Sequence, residues 1–217
     1  LMESNSLEAV RTNVIGTYLV AREAARIGAE EFVLVSTDKA VRPANVMGAT
    51  KQLAERVVLA LQSSYPDCSF AAVRFGNVLG SSGSVIPVFR AQLERGEPLT
   101  VTDERVTRYF MTIPEAAELV LQTTVMSKGG EVFLLDMGTP IKIKDLAEKM
   151  IRSSGLTIKN KLNPEGDIEI KIIGLRPGEK MYEELLIDAK SIKTEHPIIF
   201  KAIEKSLPRD FLFDKIK

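Results

Sequence analysis

The chain has 217 residues, 45% of them apolar, with 29 basic side chains against 29 acidic ones. That composition supports a real hydrophobic core, and the balanced charge gives no electrostatic case for nucleic acid or an anionic membrane surface as a partner. The single cysteine, Cys68, and single histidine, His196, exclude an internal disulfide and leave no basis for a cysteine or multi-histidine metal centre, so no metal site is expected.

The first element is a helix. Ser6 is a plausible N-cap, and Val10, Val14, Tyr18, Ala21 and Ala25 recur at helical spacing up to Gly28. The apolar run Glu31-Phe32-Val33-Leu34-Val35 predicts a buried strand ending at Ser36, followed by a loop and a helix from about Ala49 to Leu61. Ser69 to Arg74 is a second buried strand, so the order strand, helix, strand predicts the crossover unit of a parallel sheet. Val85 to Glu94 reads as a helix, Leu99 to Val101 and Thr107 to Thr112 as strands, and Pro114 as the first residue of a helix running to Met126. A strand at Glu131 to Leu135, a helix at Asp145 to Ser153 and a strand at Ile168 to Ile173 follow. Arg176 to Lys180 reads as a turn opening a short helix through Leu185. Beyond Ile187 the periodicity is weak, and a partly ordered tail is expected.

The expected fold is α/β: the C-terminal part of a Rossmann-like parallel sheet plus a smaller α/β cap. Residues 1–79 form the back half of the dinucleotide-binding domain, 80–186 the cap with returning sheet elements, and 187–217 the tail. No strand precedes the first helix, and no Gly-x-Gly-x-x-Gly turn occurs. Such folds normally open on strand, glycine turn and helix, where backbone amides meet a pyrophosphate. The chain is therefore expected to lack the first βαβ units of its fold. No apolar run reaches the roughly 18 residues that suggest a membrane span, and no signal peptide opens the chain. A cytoplasmic location and no membrane contact are expected of it, and an inner-membrane anchor on a longer parent, with this domain on the cytoplasmic side, is left open.

Residues 36–51 carry the densest chemistry: Ser-Thr-Asp-Lys-Ala-Val-Arg-Pro-Ala-Asn-Val-Met-Gly-Ala-Thr-Lys. A hydroxyl, a carboxylate and an amine (Thr37, Asp38, Lys39) sit where a strand ends, which is where open α/β sheets bind ligands. Lys51 lies four residues after Met47, so one helical face carries both.

This run resembles the active-site segment of the extended short-chain dehydrogenase/reductase superfamily: a Ser/Thr after a strand, then Tyr-x-x-x-Lys on the next helix. Here Met47 takes the tyrosine position, giving Met-x-x-x-Lys. Together with Asp38-Lys39, that departure resembles the nucleotide-sugar 4,6-dehydratases of bacterial polysaccharide biosynthesis, especially their large membrane-anchored members. The resemblance covers about Asn5 to Leu186. It implies a lyase that dehydrates UDP-N-acetylglucosamine to the 4-keto-6-deoxy sugar nucleotide, with NAD or NADP as cofactor, for capsule, lipopolysaccharide or glycoprotein glycans. It also implies a homo-oligomer.

Site roles follow from the same resemblance. Lys39 is the base at C5 and Asp38 the acid for the leaving hydroxyl. Thr37 bonds the C4 hydroxyl, and Lys51 holds the nicotinamide ribose, with Met47 in the tyrosine's place. Without a tyrosine, the C4 hydroxyl proton goes to Thr37 with a water or to Asp38. Ser36, Phe75 and Asn13, the last within an Asn-x-x-Gly segment, flank the cofactor. Asn77, Ser84, Val85, Arg108, Arg176 and Glu179 face the UDP-sugar, since arginine reads pyrophosphate bidentately. Two alternatives stand beside this reading. One is a 4-epimerase or reductase, which ordinarily needs the tyrosine. The other is a non-catalytic module that binds NAD(P) and UDP-sugar.

Overall fold

A computed structural model of the chain describes residues 2–81, 83–184, 190–203 and 212. The chain divides into two compact units. The first comprises Leu1–Phe75, Ala116–Asp136 and Glu184–Lys217, and the second Gly76–Glu115 and Met137–Glu183.

The first unit opens with α1 (Ser6–Val10), a π-helical turn (Arg11–Gly16) and α2 (Thr17–Arg26), continuous where the sequence predicts one helix. Next come β1 (Glu31–Val35), a short 3-10 turn (Asp38–Ala40), α3 (Val46–Leu61) and β2 (Ser69–Arg74). Strand β1 pairs parallel with β2, Glu31 opposite Ser69 and Val35 opposite Val73. Strand β7 (Glu131–Leu135), reached through α5 (Ile113–Met126), extends the sheet parallel to β2. Apolar residues of α2, α3 and the strands meet in one core: Ala21, Leu34, Ala54, Val58, Leu61, Phe70, Ala72 and Leu134 are all buried.

Two expectations change here. Strand β2 is buried through its apolar run, but in β1 only Leu34 is buried and Val35 is 47% exposed. The cause is position: among the described residues β1 is one edge of a five-stranded sheet in which it neighbours only β2. The region read as a weakly periodic tail supplies the other edge. Strands β11 (Ser191–Lys193) and β12 (Ile199–Ala202) pair antiparallel, and β12 pairs antiparallel with β7. Strand β11 is exposed at all three residues and β12 buries only Ile199, so neither carries the continuous buried apolar run of β2 and β7.

The second unit has its own core. Strands β4 (Leu99–Val101), β10 (Ile168–Ile172) and β9 (Ile158–Lys159) form a parallel sheet. Helices α4 (Val85–Glu94) and α6 (Ile143–Ser153) cover it with Phe89, Ile143, Ala147 and Ile151. The expected strand 107–112 is two. Thr107–Arg108 (β5) pairs antiparallel with β8 (Ile141–Lys142), and Phe110–Met111 (β6) pairs parallel with β3 (Asn77–Val78). The run divides at Tyr109, where pairing passes from β8 to β3, and the Tyr109 carbonyl accepts the Asn77 backbone amide at 3.1 Å within the β3–β6 ladder. A turn at 177–178 and a bend at 181–182 stand where a turn and a short helix are expected, and Leu185 lies outside the described residues.

Candidate active site

Strand β1 stops after Val35, and the chain turns sharply. The Ser36 amide still donates to Val73, and the Asp38 amide donates to the carbonyl of Phe75 at 3.1 Å. Thr37 caps the 3-10 turn, its hydroxyl accepting the Lys39 amide at 3.4 Å. The turn brings three functional groups together. Asp38 Oδ1 accepts from Thr37 Oγ1 and from Lys39 Nζ, each at 2.8 Å. Asp38 is fully buried, and its second oxygen, Oδ2, has no hydrogen-bond partner among the described residues. A buried acceptor without a donor is costly unless something else meets it.

Helix α3 seats the remaining groups. The Asn45 side chain accepts the Gly48 amide at 2.8 Å as its N-cap. Gly48 packs so closely on the turn that a Cβ there would lie 2.2 Å from the Lys39 carbonyl oxygen. Met47 is half-buried, and its carbonyl accepts from Thr50 Oγ1 at 2.9 Å. Asn13, in the π-helical turn, donates to the same Thr50 hydroxyl at 2.9 Å. One turn past Met47, Lys51 Nζ donates to the Val35 carbonyl at 3.2 Å. Partial burial pushes the Lys51 ammonium below its ordinary range, with the Glu55 carboxylate pulling the other way.

The Ser36 hydroxyl is turned inward: it donates to Glu55 Oε1 at 2.5 Å. Glu55 in turn receives Arg74 bidentately, Nε on Oε1 at 2.8 Å and Nη2 on Oε2 at 2.7 Å. All three residues are buried. The sequence reading did not single out Glu55, Arg74, Thr50 or Gly48. The available signals were a glycine inside a helical run and a glutamate among Ala54, Val57, Val58 and Leu61.

The second unit holds the other expected contacts. The Asn77 amide group donates to the Tyr109 carbonyl at 3.2 Å. Ser84 precedes α4, with Val85 its first residue, and the Ser84 hydroxyl makes no cap bond among the described residues. Arg108 and Glu179, read from sequence as separate substrate contacts, meet each other. Arg108 donates to Glu179 Oε1 at 3.1 Å and to the carbonyls of Lys180 at 2.9 Å and Met181 at 3.2 Å, and its Nε lies 3.6 Å from Glu183. Glu179 also accepts from Thr102 Oγ1 at 3.0 Å and from the Arg176 amide at 3.2 Å. The Arg176 side chain is exposed. Among the described residues no acidic, histidine or cysteine cluster could hold a metal ion, and no helix is long and apolar enough to cross a membrane.

Comparison with known proteins gives this geometry a context. A family model described as polysaccharide biosynthesis protein matches residues 1–204. The capsular polysaccharide biosynthesis protein CapD of Staphylococcus aureus is 57% identical over 86% of this chain, which spans 30% of that protein. An inverting UDP-N-acetylglucosamine 4,6-dehydratase of Campylobacter jejuni is 30% identical over 95% of this chain, which spans 58% of it. A UDP-glucose 4-epimerase of Rickettsia rickettsii is 34% identical over 87% of this chain and 53% of its own length. The chain thus spans less than two thirds of these curated relatives. Among solved structures, Pen from Bacillus thuringiensis superposes with a TM-score of 0.81 at 36% identity, covering 99% of this chain and 70% of its own. DesIV from Streptomyces venezuelae, a dTDP-glucose 4,6-dehydratase solved with NAD, shares the fold with a TM-score of 0.68 at 20% identity, over 81% of this chain and 57% of its own.

Proposed function

We propose a function from one premise, that the chain belongs to the polysaccharide biosynthesis protein family: it carries the acid–base centre of an NAD(P)-dependent 4,6-dehydratase acting on a UDP-N-acetylhexosamine. One observation carries the reading. Asp38 is buried, shares Oδ1 with Thr37 and Lys39, and leaves Oδ2 without a donor.

Elimination of water across C5 and C6 needs one group to take a proton and another to give one. At 2.8 Å, a proton passed from Lys39 Nζ to the Asp38 carboxylate yields a neutral amine and a carboxylic acid side by side. The amine then removes the C5 proton, and the acid delivers its proton to the departing C6 hydroxyl. Thr37, whose proton points at Asp38, keeps its lone pairs for a sugar hydroxyl.

The ribose end of a nicotinamide dinucleotide fits Lys51. Its ammonium is partly desolvated, donates to the Val35 carbonyl and has further donors for ribose hydroxyls. When bound, such a cofactor would accept hydride from C4 while the C4 hydroxyl proton leaves through Thr37 to a water, and the resulting ketone would make the C5 proton acidic enough to remove. The relative named as a UDP-N-acetylglucosamine 4,6-dehydratase and the NAD-bound fold neighbour support this choice of substrate and cofactor. Met47 supports dehydration over epimerisation, because a thioether can neither give nor take the proton a tyrosine would.

The test is exchange of the C5 proton with deuterated solvent, measured on the full-length protein. Lys39→Ala is expected to stop exchange while nucleotide-sugar binding persists. Exchange at the wild-type rate in that variant rejects the assignment.

A further inference from the structure

The buried Ser36–Glu55–Arg74 network has no part in the chemistry just described, yet it adjoins it on three elements. Ser36 is the residue between β1 and Thr37, Glu55 lies one turn beyond Lys51 on α3, and Arg74 ends β2. Successive turns of α3 therefore grip successive residues of the outgoing chain: Lys51 holds the Val35 carbonyl and Glu55 holds the Ser36 hydroxyl. Glu55 Oε1 takes two donors at once, Ser36 Oγ at 2.5 Å and Arg74 Nε at 2.8 Å, which fixes the direction of its carboxylate.

Stability alone gives a weak reason for such a pair. Taking two charges out of water costs much of what their attraction returns, and a well-packed apolar pair in the same space is often as stable or more so. What an apolar pair lacks is direction. The bidentate ion pair and the hydroxyl it holds set the chain's course at the residue before the site turn.

We propose that Glu55, oriented by Arg74, is a positioning residue: through Ser36 it fixes the entry of the Thr37-Asp38-Lys39 turn relative to Lys51. The kinetic part of this proposal rests on the dehydratase reading, and the structural part does not. A misplaced acid–base group loses rate steeply, by about 100-fold per ångström in unfavourable cases. Nucleotide-sugar affinity is not expected to follow, because neither Glu55 nor Arg74 is solvent-accessible.

The test uses the double variant Glu55→Leu/Arg74→Met, which removes both charges together, and Ser36→Ala, which leaves the ion pair whole. Two readouts are taken on the full-length protein. The first is amide hydrogen exchange at Asp38, whose N–H bonds the Phe75 carbonyl, against the amides within β2 as an internal control. The second is kcat and KM per folded molecule. Both variants are expected to raise exchange at Asp38 about tenfold or more with β2 unchanged. They are also expected to lower kcat about tenfold with KM within about twofold. Unchanged exchange at Asp38 in Ser36→Ala overturns the proposal, as does faster exchange with wild-type kcat. If the wild-type protein forms no 4-keto sugar at all, the dehydratase reading falls, while the exchange result still decides whether Glu55 positions the turn. If the double variant does not fold, Ser36→Ala supplies both readouts.

Discussion

Two charged clusters, one in each unit, are built from similar parts to different ends. Around Arg108, the guanidinium nitrogens meet Glu179, Glu183 and the carbonyls of residues 180 and 181, and Glu179 spends both oxygens on Arg108, Thr102 and the Arg176 amide. Around Asp38, one oxygen is doubly engaged and the other meets no donor among the described residues. The Arg108 guanidinium keeps its proton and ties carboxylates to backbone carbonyls, which holds the chain in place. Asp38 is paired instead with an amine that can pass it a proton, and such pairs concentrate where chemistry occurs.

The comparison breaks most sharply at Asp38. Asp38→Asn keeps the shape and removes the proton carrier, so kcat is expected to fall about 1,000-fold while the melting temperature changes little. A variant that turns over at more than a tenth of the wild-type rate would make Asp38 architectural, like the other cluster. Arg108→Ala should do the reverse. It leaves buried carboxylate uncompensated, and the loss is expected to be about 3 kcal/mol of unfolding free energy by urea titration. An Arg108 variant that unfolds normally but loses nucleotide-sugar affinity would instead place this side chain on the ligand.

Much of the frame was readable from sequence because apolar runs and breakers agree. The strands at Ser69–Arg74 and Glu131–Leu135 and the helix Val85–Glu94 stand where period and flanking residues put them. Strands β11 and β12 were not readable, since their pairing comes from tertiary contact with β7 rather than from local pattern. The adjacency of Thr37, Asp38 and Lys39 at a strand end was plain, but which oxygen of Asp38 each would take was not. Arg108 and Glu179 lie too far apart in sequence for their pairing to show; only the fold brings them together. Glu55 and Arg74 each look like a lone charge in an apolar segment, and single-chain periodicity has no means of matching them.

Gly48 tests how tightly the first cluster depends on backbone. The obstacle to a side chain there is the Lys39 carbonyl oxygen, which belongs to the turn itself and cannot swing away as a side chain could. Gly48→Ala is therefore expected to cost about 2 kcal/mol by urea unfolding and to displace the turn. Kinetics should show a lower kcat even at temperatures where the variant is fully folded. A Gly48→Ala protein with wild-type stability would mean that the turn and α3 are not packed as described.

The smallest effect concerns the charge on Lys51. In the unfolded chain this amine titrates near its ordinary 10.5, while partial burial lowers it in the fold against the pull of Glu55. Below the lowered value both states are protonated, and the cost of a half-buried ammonium is fully present. Between the two values the unfolded chain binds more protons than the folded one, so stability contributed by this group rises with pH. Lys51→Met removes that rise. Other lysines and tyrosines titrate in the same range, so the quantity to measure is the difference between wild type and variant across the alkaline limb. After solvent screening it should be small, growing in the wild type's favour as pH climbs toward 10.5. A difference that stays flat would mean that the ammonium is as well solvated as a surface lysine and is not held against the Val35 carbonyl.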